Sequence, residues 1–323
     1  MRARTFLALL AVPVAMIGVV GSSSAAPGDG KGKAHRDEPL AEAIRQVDRS
    51  TAWRLVDRIP LAFETHHPQG LAAVGDKLFL SSVEIIERPT PYPEPDEDGY
   101  DRSPGKGVGH VFVLTRDGKL IRDIEVGEGP EGTIYHPGGI DYDGRHVWVP
   151  VAEYRPNSSA IIYRIDPRTY RVTEEFGYRD HVGGVVVDRV TGDVHGVTWG
   201  SRRMVHWNRH GHLRKVEQNV SHFIDYQDCA YVGSRKQLCT GITELATADG
   251  GRFELGGAAL LDLRDNAILH EVPLPGFSTA GHTITRNPVL FEVDGDTLRM
   301  IAAPDDGEEG AGTELLVYET DLS

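Results

Sequence analysis

The stretch from His136 to Glu153 reads His-Pro-Gly-Gly-Ile-Asp-Tyr-Asp-Gly-Arg-His-Val-Trp-Val-Pro-Val-Ala-Glu, and the fold follows from it. Two short runs of strand-forming residues, 139–142 and 146–152, flank Asp143-Gly144. This dipeptide favours a type I′ turn, because both of its residues accept positive φ angles. The stretch therefore predicts a β-hairpin.

The same hairpin recurs along the chain. The sequence His67-Pro-Gln-Gly-Leu leads, over the same number of residues, to a second strand at 78–84. Regular repetition of one unit is typical of repeat folds. The second strand of the unit occurs in five copies, at 78–84, 147–153, 194–200, 238–244 and 298–304. Each copy has an inner strand before it and a third strand after it, which predicts a ring of similar small sheets.

The ring has an evident way to close. The fifth copy ends without a fourth strand, and residues 53–61, ahead of the first copy, have the pattern of that missing strand. An N-terminal strand that completes the last sheet leaves no edge exposed. We therefore predict an all-β fold, a five-bladed β-propeller closed by an N-terminal strand, with Trp53, Leu55 and Ile59 packed on the last blade. Six blades remain the alternative if two copies have been merged.

The blade pattern resembles a known superfamily. The run Pro-Gly-Gly-Ile-Asp-Tyr-Asp-Gly-Arg-His-Val-Trp-Val is similar to blades of the propeller superfamily that holds the gluconolactonase, strictosidine-synthase and NHL-repeat proteins. The resemblance covers nearly all of the mature chain and implies the fold of a secreted bacterial propeller. Lactonase-type members bind a divalent metal through a Glu-Gly-Pro motif. Here Glu128-Gly129-Pro130 falls in a connection between blades, so the resemblance does not transfer that metal ligand.

The N terminus has the features of a signal peptide. Arg2 and Arg4 precede an apolar run at 6–20, and Ser24-Ala25-Ala26 fits cleavage after Ala26. We predict a secreted protein with a signal peptide at 1–26, a disordered segment and short helix at 27–51, and one propeller domain at 52–323. The disordered part is the Gly-rich, charged segment 27–39, and the helix follows from apolar residues at 40, 44 and 47. No membrane insertion is expected, because the apolar run is short.

Charge and cysteines limit the partners and the compartment. The formal net charge is −14, and such a surface repels nucleic acid and anionic lipid. We expect a monomer that binds a small molecule or a glycan. Cys229 and Cys239 would face each other across a hairpin, which predicts a disulfide in an exported chain. Closing so small a loop contributes roughly 2–3 kcal/mol.

Histidines recur in the connections that enter the inner strands, at His67, His136, His181, His222 and His282. The first three align with one another, whereas strict alignment of the last two copies places Asp225 and Asn287 at the equivalent positions. Imidazoles that converge from separate blades suit a divalent transition metal. We predict a metal-binding or proton-transferring histidine cluster at the channel mouth. The alternative is that each histidine only satisfies backbone groups at a strand entrance.

The second strands end at the same face as these histidines. Three of the five copies carry glutamate at one aligned position, namely Glu84, Glu153 and Glu244. Carboxylates beside imidazoles can serve as general bases, so we predict a metal-assisted hydrolase or lyase. One alternative is a glycosidase that uses these carboxylates together with Asp225. The other is a non-catalytic module that binds a ligand or a partner protein in the cell envelope.

Two further features belong to this face. The insertion at 85–108 is rich in Pro and Asp, and we predict that it forms a mobile acidic lid. Calcium binding by its Asp96, Asp98 and Asp101 is a weaker alternative, because the spacing departs from the EF-hand loop. Trp199 lies at the end of the second strand of the third copy, where it would either stack on a sugar or plug the channel.

Overall fold

A computed structural model describes residues 31–310 and 312–322. Five antiparallel sheets form the five blades of a β-propeller, as the repeats predict. The predicted signal peptide at 1–26 lies outside the described residues. No helix within residues 31–310 and 312–322 is long and apolar enough to cross a membrane.

The chain starts with helix α1 (Lys31–Gln46) and strand β1 (Arg54–Pro60). The first blade contains β2 (His67–Val74), β3 (Lys77–Glu87), β4 (Lys106–Thr115) and β5 (Leu120–Val126). The second contains β6 (His136–Pro137), β7 (Asp141–Tyr142), β8 (Val147–Ala152), β9 (Ala160–Ile165) and β10 (Val172–Tyr178), with β6 and β7 as two pieces of one inner strand. The third contains β11 (Gly184–Val187), β12 (Val194–Val197), β13 (Arg203–Trp207) and β14 (Leu213–Gln218). The fourth contains β15 (Asp225–Tyr231), β16 (Lys236–Ala246), β17 (Arg252–Asp262) and β18 (Ile268–Pro273). The fifth contains β19 (Val289–Asp294), β20 (Thr297–Ala302) and β21 (Glu314–Asp321).

Strand β1 closes the ring as the outermost strand of the fifth blade. It pairs antiparallel with β21, from Arg54 opposite Glu319 to Pro60 opposite Glu314. Ile59 and Trp53 pack on the blades as expected, but Leu55 is 40% exposed. The prediction for Leu55 was wrong because the pairing shifts by one residue just after it, and this bulge breaks the simple alternation of the strand.

Helix α1 is an integral part of the fifth blade. Its Ala41, Ile44 and the following Val47 are buried in one apolar cluster with Phe291 and Met300 of β19 and β20. The spacing of these residues agrees with the predicted amphipathic helix. The helix begins at Lys31, however, and so includes residues that composition predicted to be disordered. Because Pro39 lies inside the helix, tertiary packing of its apolar residues, rather than intrinsic propensity, accounts for the element.

The turn at Asp143-Gly144 differs from the predicted type I′. Gly144 has a φ of 94°, but Asp143 is not among the described residues with positive φ. The Asp143 carboxylate instead accepts the backbone N–H groups of Arg145 and His146, each at 2.7 Å. A side-chain acceptor therefore stabilises the turn, and one left-handed residue is enough.

The predicted disulfide is present. Cys229 and Cys239 lie directly opposite each other on β15 and β16 and are bonded. Such a bond indicates an oxidising compartment.

Glycines bring the inner strands of neighbouring blades into direct contact. Gly139 donates its N–H to the carbonyl of Gly183 at 2.9 Å, and a Cβ on Gly138 would stand 2.2 Å from that same carbonyl oxygen. Asp228 of β15 joins this centre, accepting the backbone N–H of Leu71 at 2.9 Å and of Ile140 at 3.2 Å. Burial raises the Asp228 pKa well above its ordinary value. The inner strands are therefore packed closely together at this level of the channel.

Candidate functional site

A cavity of about 310 Å³ lies where the inner strands begin. All five blades contribute side chains to its wall. These are His67 of the first blade, His136 of the second, His181 of the third, Asp225 of the fourth and Asn287 of the fifth. The alignment of the repeats predicted these five ring positions. We call this cavity the pocket.

His136 and His181 are the most buried members of the ring. Their ring centroids are 5.9 Å apart, because Gly138 and Gly183 let the second and third blades approach closely. Burial lowers the pKa of His181 to about 4, against the opposing effect of its hydrogen bond to a backbone carbonyl. Burial, together with the neighbouring His181 and His67, lowers the pKa of His136 well below its ordinary value. Both imidazoles are therefore neutral near pH 7.

The hydrogen bonds of His181 and His67 fix their tautomers. His181 donates from Nδ1 to the backbone carbonyl of Glu153 at 2.8 Å. Nδ1 of His67 lies 2.6 Å from Oδ1 of Asp306. In a neutral ring, each of these contacts leaves the lone pair on Nε2. His136 differs, because neither of its buried nitrogens has a hydrogen-bond partner among residues 31–310 and 312–322.

Asp306 is itself firmly held. It accepts a hydrogen bond from Asn287 Nδ2 at 2.9 Å and lies 3.3 Å from Arg286 Nη2. Burial acts to raise the Asp306 pKa, but His67, Arg286 and Asn287 outweigh it, and the pKa is lowered. A charged carboxylate therefore supports His67 from behind the pocket wall.

The fourth blade supplies a second carboxylate. Asp225 pairs with Arg202 at 2.8 Å, next to Gly200, whose φ of 58° lies in the left-handed region. Burial raises the pKa of Asp225, although Arg202 opposes the rise. Asp225 is the one carboxylate among the described residues that line the pocket.

Aromatic rings form one wall. Tyr154 stacks on His136 with ring centroids 4.3 Å apart, and Trp199 lies 4.9 Å from His181. The guanidinium of Arg102, from the insertion between β3 and β4, stands 5.3 Å from the Trp199 ring. Trp199 is half-buried and lines the pocket, so both roles expected for it, a sugar platform and a plug, stay predictions. The contact also shows that the insertion reaches across to the third blade.

The remaining residues of that insertion do not suggest a calcium loop. The Asp96 carboxylate accepts the backbone N–H groups of Asp98 at 3.1 Å and of Tyr100 at 2.8 Å. It stabilises a turn of its own loop.

Two of the five predicted histidines lie outside the pocket. His222 contacts Arg202 through Nδ1 at 3.2 Å. His282 lies between Glu254, at 3.0 Å, and Glu309, at 3.3 Å. Both come several residues before the ring positions, which Asp225 and Asn287 occupy.

The three predicted glutamates also do not line the pocket. Glu153 is buried, and its carboxylate pairs with Arg155 at 2.6 Å. Its contact with the pocket residues is through its backbone carbonyl, which accepts the hydrogen bond from His181. Strands β3 and β16 continue beyond Glu84 and Glu244, so these side chains stand on extended hairpins. Without several carboxylates around one cavity, the glycosidase alternative loses its support.

The pocket imidazoles are close to one another but not preassembled around a single point. Among the described residues, ligand atoms within 4.8 Å of one another occur in His66–Glu84–His110 and in Glu64–His66–Glu308. His67, His136 and His181 do not form such a group. One ion bound by all three would require at least one ring to rotate.

Sequence reasoning did not find Asp306 and Arg286. Arg286 directly precedes the ring position of the fifth blade, and Asp306 lies in the connection between β20 and β21, where the other blades carry different residues. The pair Asp305-Asp306 directly after a second strand was the available signal.

The fold and the pocket together define a five-bladed β-propeller with a histidine-lined cavity at its channel mouth. The chain belongs to the family described as "Family of unknown function (DUF6454)", whose model matches residues 35–323. No curated protein matches the chain.

Several solved structures are similar to the chain. A luciferin-regenerating enzyme has a TM-score of 0.47 and 11% identity, over 85% of this chain and 96% of its own. The calcium-binding protein regucalcin from Agrobacterium tumefaciens has a TM-score of 0.44 and 13% identity, over 84% and 96%. The tail fiber of Staphylococcus aureus phage P68 has a TM-score of 0.46 and 9% identity, over 88% of this chain and 56% of its own. Identities this low do not indicate shared chemistry.

Proposed function

We propose that the protein is an exported, monomeric enzyme that hydrolyses a small molecule, or cleaves it by elimination, with a divalent transition metal held by His67, His136 and His181. One observation carries the proposal. Three imidazoles from consecutive blades line one pocket, and in two of them Nδ1 is hydrogen-bonded to an oxygen. Metal-ligating histidines have this arrangement, because the second nitrogen fixes the tautomer and the ring orientation.

The protonation state of the pocket agrees with metal binding. A metal binds neutral imidazole, and the pKa values of His136 and His181 are lowered. His136 has no hydrogen bond that would be lost on coordination. It is therefore the ring that is best able to rotate towards the other two.

The metal would activate water or polarise a substrate oxygen. The pocket residues would orient the substrate, with Tyr154 as an apolar wall and Asp225 and Asn287 as polar contacts. A cavity of about 310 Å³ admits a small molecule or one sugar unit rather than a polymer chain.

The test is metal content. The mature chain would be made without a histidine tag, loaded with Zn²⁺, desalted and analysed by mass spectrometry. We expect His136→Ala and His181→Ala each to lose one equivalent relative to wild type. His210→Ala is the matched control, because His210 is exposed on the turn between β13 and β14. Equal zinc content in wild type and both pocket variants would contradict the proposal.

A metal-free acid–base enzyme is the second candidate. It is favoured by the 2.6 Å contact between His67 and Asp306, which is the pairing of a general base with its orienting carboxylate. Hydrolysis of a panel of aryl esters and lactones, assayed with and without EDTA, separates the two candidates. Activity that survives EDTA and is lost in His67→Gln supports the acid–base enzyme, whereas activity lost in EDTA and restored by Zn²⁺ supports the metal enzyme.

A further inference from the structure

A second group of metal-type ligands lies outside the pocket. Ligand atoms of His66, Glu84 and His110 all lie within 4.8 Å of one another. We call these three residues the seam site, because they stand where the ring closes. His66 belongs to the connection from β1 of the fifth blade to β2 of the first, and its carbonyl accepts the N–H of Gly307 in the fifth blade at 2.6 Å. Glu84 and His110 belong to β3 and β4 of the first blade.

His110 is the residue that marks this cluster as a site. It is 7% exposed, and its buried Nε2 has no hydrogen-bond partner in the part of the chain that the structure describes. That nitrogen lies 3.7 Å from Oε2 of Glu84, which is too far for a hydrogen bond. Two ligands of one tetrahedral zinc ion, each about 2.0–2.1 Å from the metal, lie about 3.4 Å apart. The gap therefore fits two ligands of one ion better than a direct contact.

The other nitrogen of His110 is held from behind. Its Nδ1 lies 3.0 Å from Oδ1 of Asp123 on β5. In a neutral ring, this contact places the proton on Nδ1 and leaves the Nε2 lone pair facing Glu84. The His66 ring stacks against the His110 ring, with centroids 5.2 Å apart and an angle of 22° between the planes. His66 also has a φ of 55°, a left-handed conformation that costs energy and is found at constrained sites.

The donor set indicates the class of ion. Two imidazoles and one carboxylate suit zinc or a similar first-row divalent ion, rather than calcium or magnesium, which prefer oxygen. The second cluster, Glu64–His66–Glu308, shares His66 but lacks a buried ligand. The buried nitrogen of His110 therefore places the ion on the Glu84 side of His66.

We infer that the seam site binds one divalent transition metal, which joins the connecting segment to the first blade and so fastens the closure of the propeller. This site is separate from the pocket and does not depend on the function proposed for it. An ion that binds only the folded ring stabilises it by mass action. We therefore expect zinc to raise the melting temperature of the protein.

The test compares two glutamates of the same strand. The mature chain, made without a histidine tag and stripped with EDTA, would be titrated with Zn²⁺ by calorimetry and melted with and without Zn²⁺. Glu84→Gln removes a ligand with little change of shape, and Glu87→Gln is the control, because Glu87 is exposed on β3 and belongs to neither cluster. We expect Glu84→Gln to weaken one zinc site at least 10-fold and to reduce the rise in melting temperature, and Asp123→Asn to weaken the same site by about 10–100-fold.

The pocket variant separates the two sites. His136→Ala removes the zinc proposed for the pocket and should keep both the seam-site affinity and the thermal shift. If the pocket binds no metal, wild type still binds one zinc, and Glu84→Gln still weakens it. The inference is overturned if wild type binds no zinc. It is also overturned if Glu84→Gln and Glu87→Gln have the same zinc affinity and the same rise in melting temperature with zinc.

Discussion

At the scale of single residues, the chemistry of the pocket depends on what holds the far side of each imidazole. His67 has a charged carboxylate behind it, His181 has a neutral carbonyl, and His136 has no hydrogen-bond partner. A carboxylate behind a metal-ligating imidazole raises its basicity and its affinity for the metal. The Asp306–His67 pair should therefore make the largest contribution of the three to metal affinity.

The first prediction concerns Asp306→Asn. The amide still accepts a hydrogen bond from His67 but carries no charge, so zinc affinity of the pocket should fall by about 10–100-fold while the fold is retained. Calorimetric titration in a Glu84→Gln background, in which the seam site is weakened, measures this. Asp193→Asn is the matched control, because Asp193 forms a similar pair with His206, at 3.0 Å, outside the pocket. Equal affinities in the two variants would contradict the role given to Asp306.

The sequence predicted the pocket histidines but not their supports, for a physical reason. His67, His136 and His181 occupy a repeated backbone position, so alignment alone brings them together. Asp306 lies in the connection between β20 and β21, which differs in sequence from the equivalent connections of the other blades, so its approach to His67 depends on tertiary packing. The prediction that the glutamates line the pocket was wrong for a related reason. Alignment gives the position of Glu84 along its strand, but it does not show that the hairpin continues beyond this residue.

At the scale of single elements, one strand pair should make the protein sensitive to acid. His195 of β12 lies opposite His206 of β13, with ring centroids 4.4 Å apart. Burial, and then the neighbouring His206, lower the pKa of His195 to about 4. An unfolded histidine takes up a proton below about pH 6.5. Above that pH, His195 does not reduce the free energy of unfolding. As the pH falls from about 6.5 towards 4, the unfolded state takes up the proton more readily, and the free energy of unfolding falls by on the order of 3 kcal/mol because of this residue.

The second prediction follows from this loss of stability at acidic pH. His195→Gln cannot gain a proton, so its free energy of unfolding should fall less than that of wild type between pH 7 and pH 4.5. Urea unfolding at the two pH values, with EDTA present to remove metal effects, measures the difference. His210→Gln is the control, because His210 is exposed on a turn. An equal loss in His195→Gln and wild type would show that His195 is not the sensitive group.

At the scale of the whole molecule, stability depends on closing the ring at the fifth blade. Two N-terminal elements close the ring, because helix α1 packs against the fifth blade and β1 covers the edge of β21. The repeats predicted β1 from the missing fourth strand. They did not predict how deeply Ile44 and Val47 are buried, since a short helical pattern does not show which surface it covers.

The third prediction compares two truncations. A chain that starts at Pro39 retains the buried helix residues and β1 and should melt like the mature protein. A chain that starts at Pro60 loses Ile44 and Val47, each worth roughly 1.5–3 kcal/mol when fully buried, together with almost all of β1. Because a typical domain is stable by about 5–15 kcal/mol, the shorter chain should unfold or aggregate. Equal solubility and melting temperature for the two would refute closure by these elements.

The central claim is that His67, His136 and His181 bind one metal ion, and anomalous X-ray diffraction tests it most directly. Crystals of the mature chain, made without a tag and soaked in Zn²⁺, would be measured on both sides of the zinc absorption edge. We predict a zinc peak among the Nε2 atoms of the three pocket histidines, and a separate peak at the seam site. A peak at the seam site alone would contradict the metal enzyme while leaving the seam inference intact, and a pocket without a zinc peak would favour the metal-free acid–base enzyme.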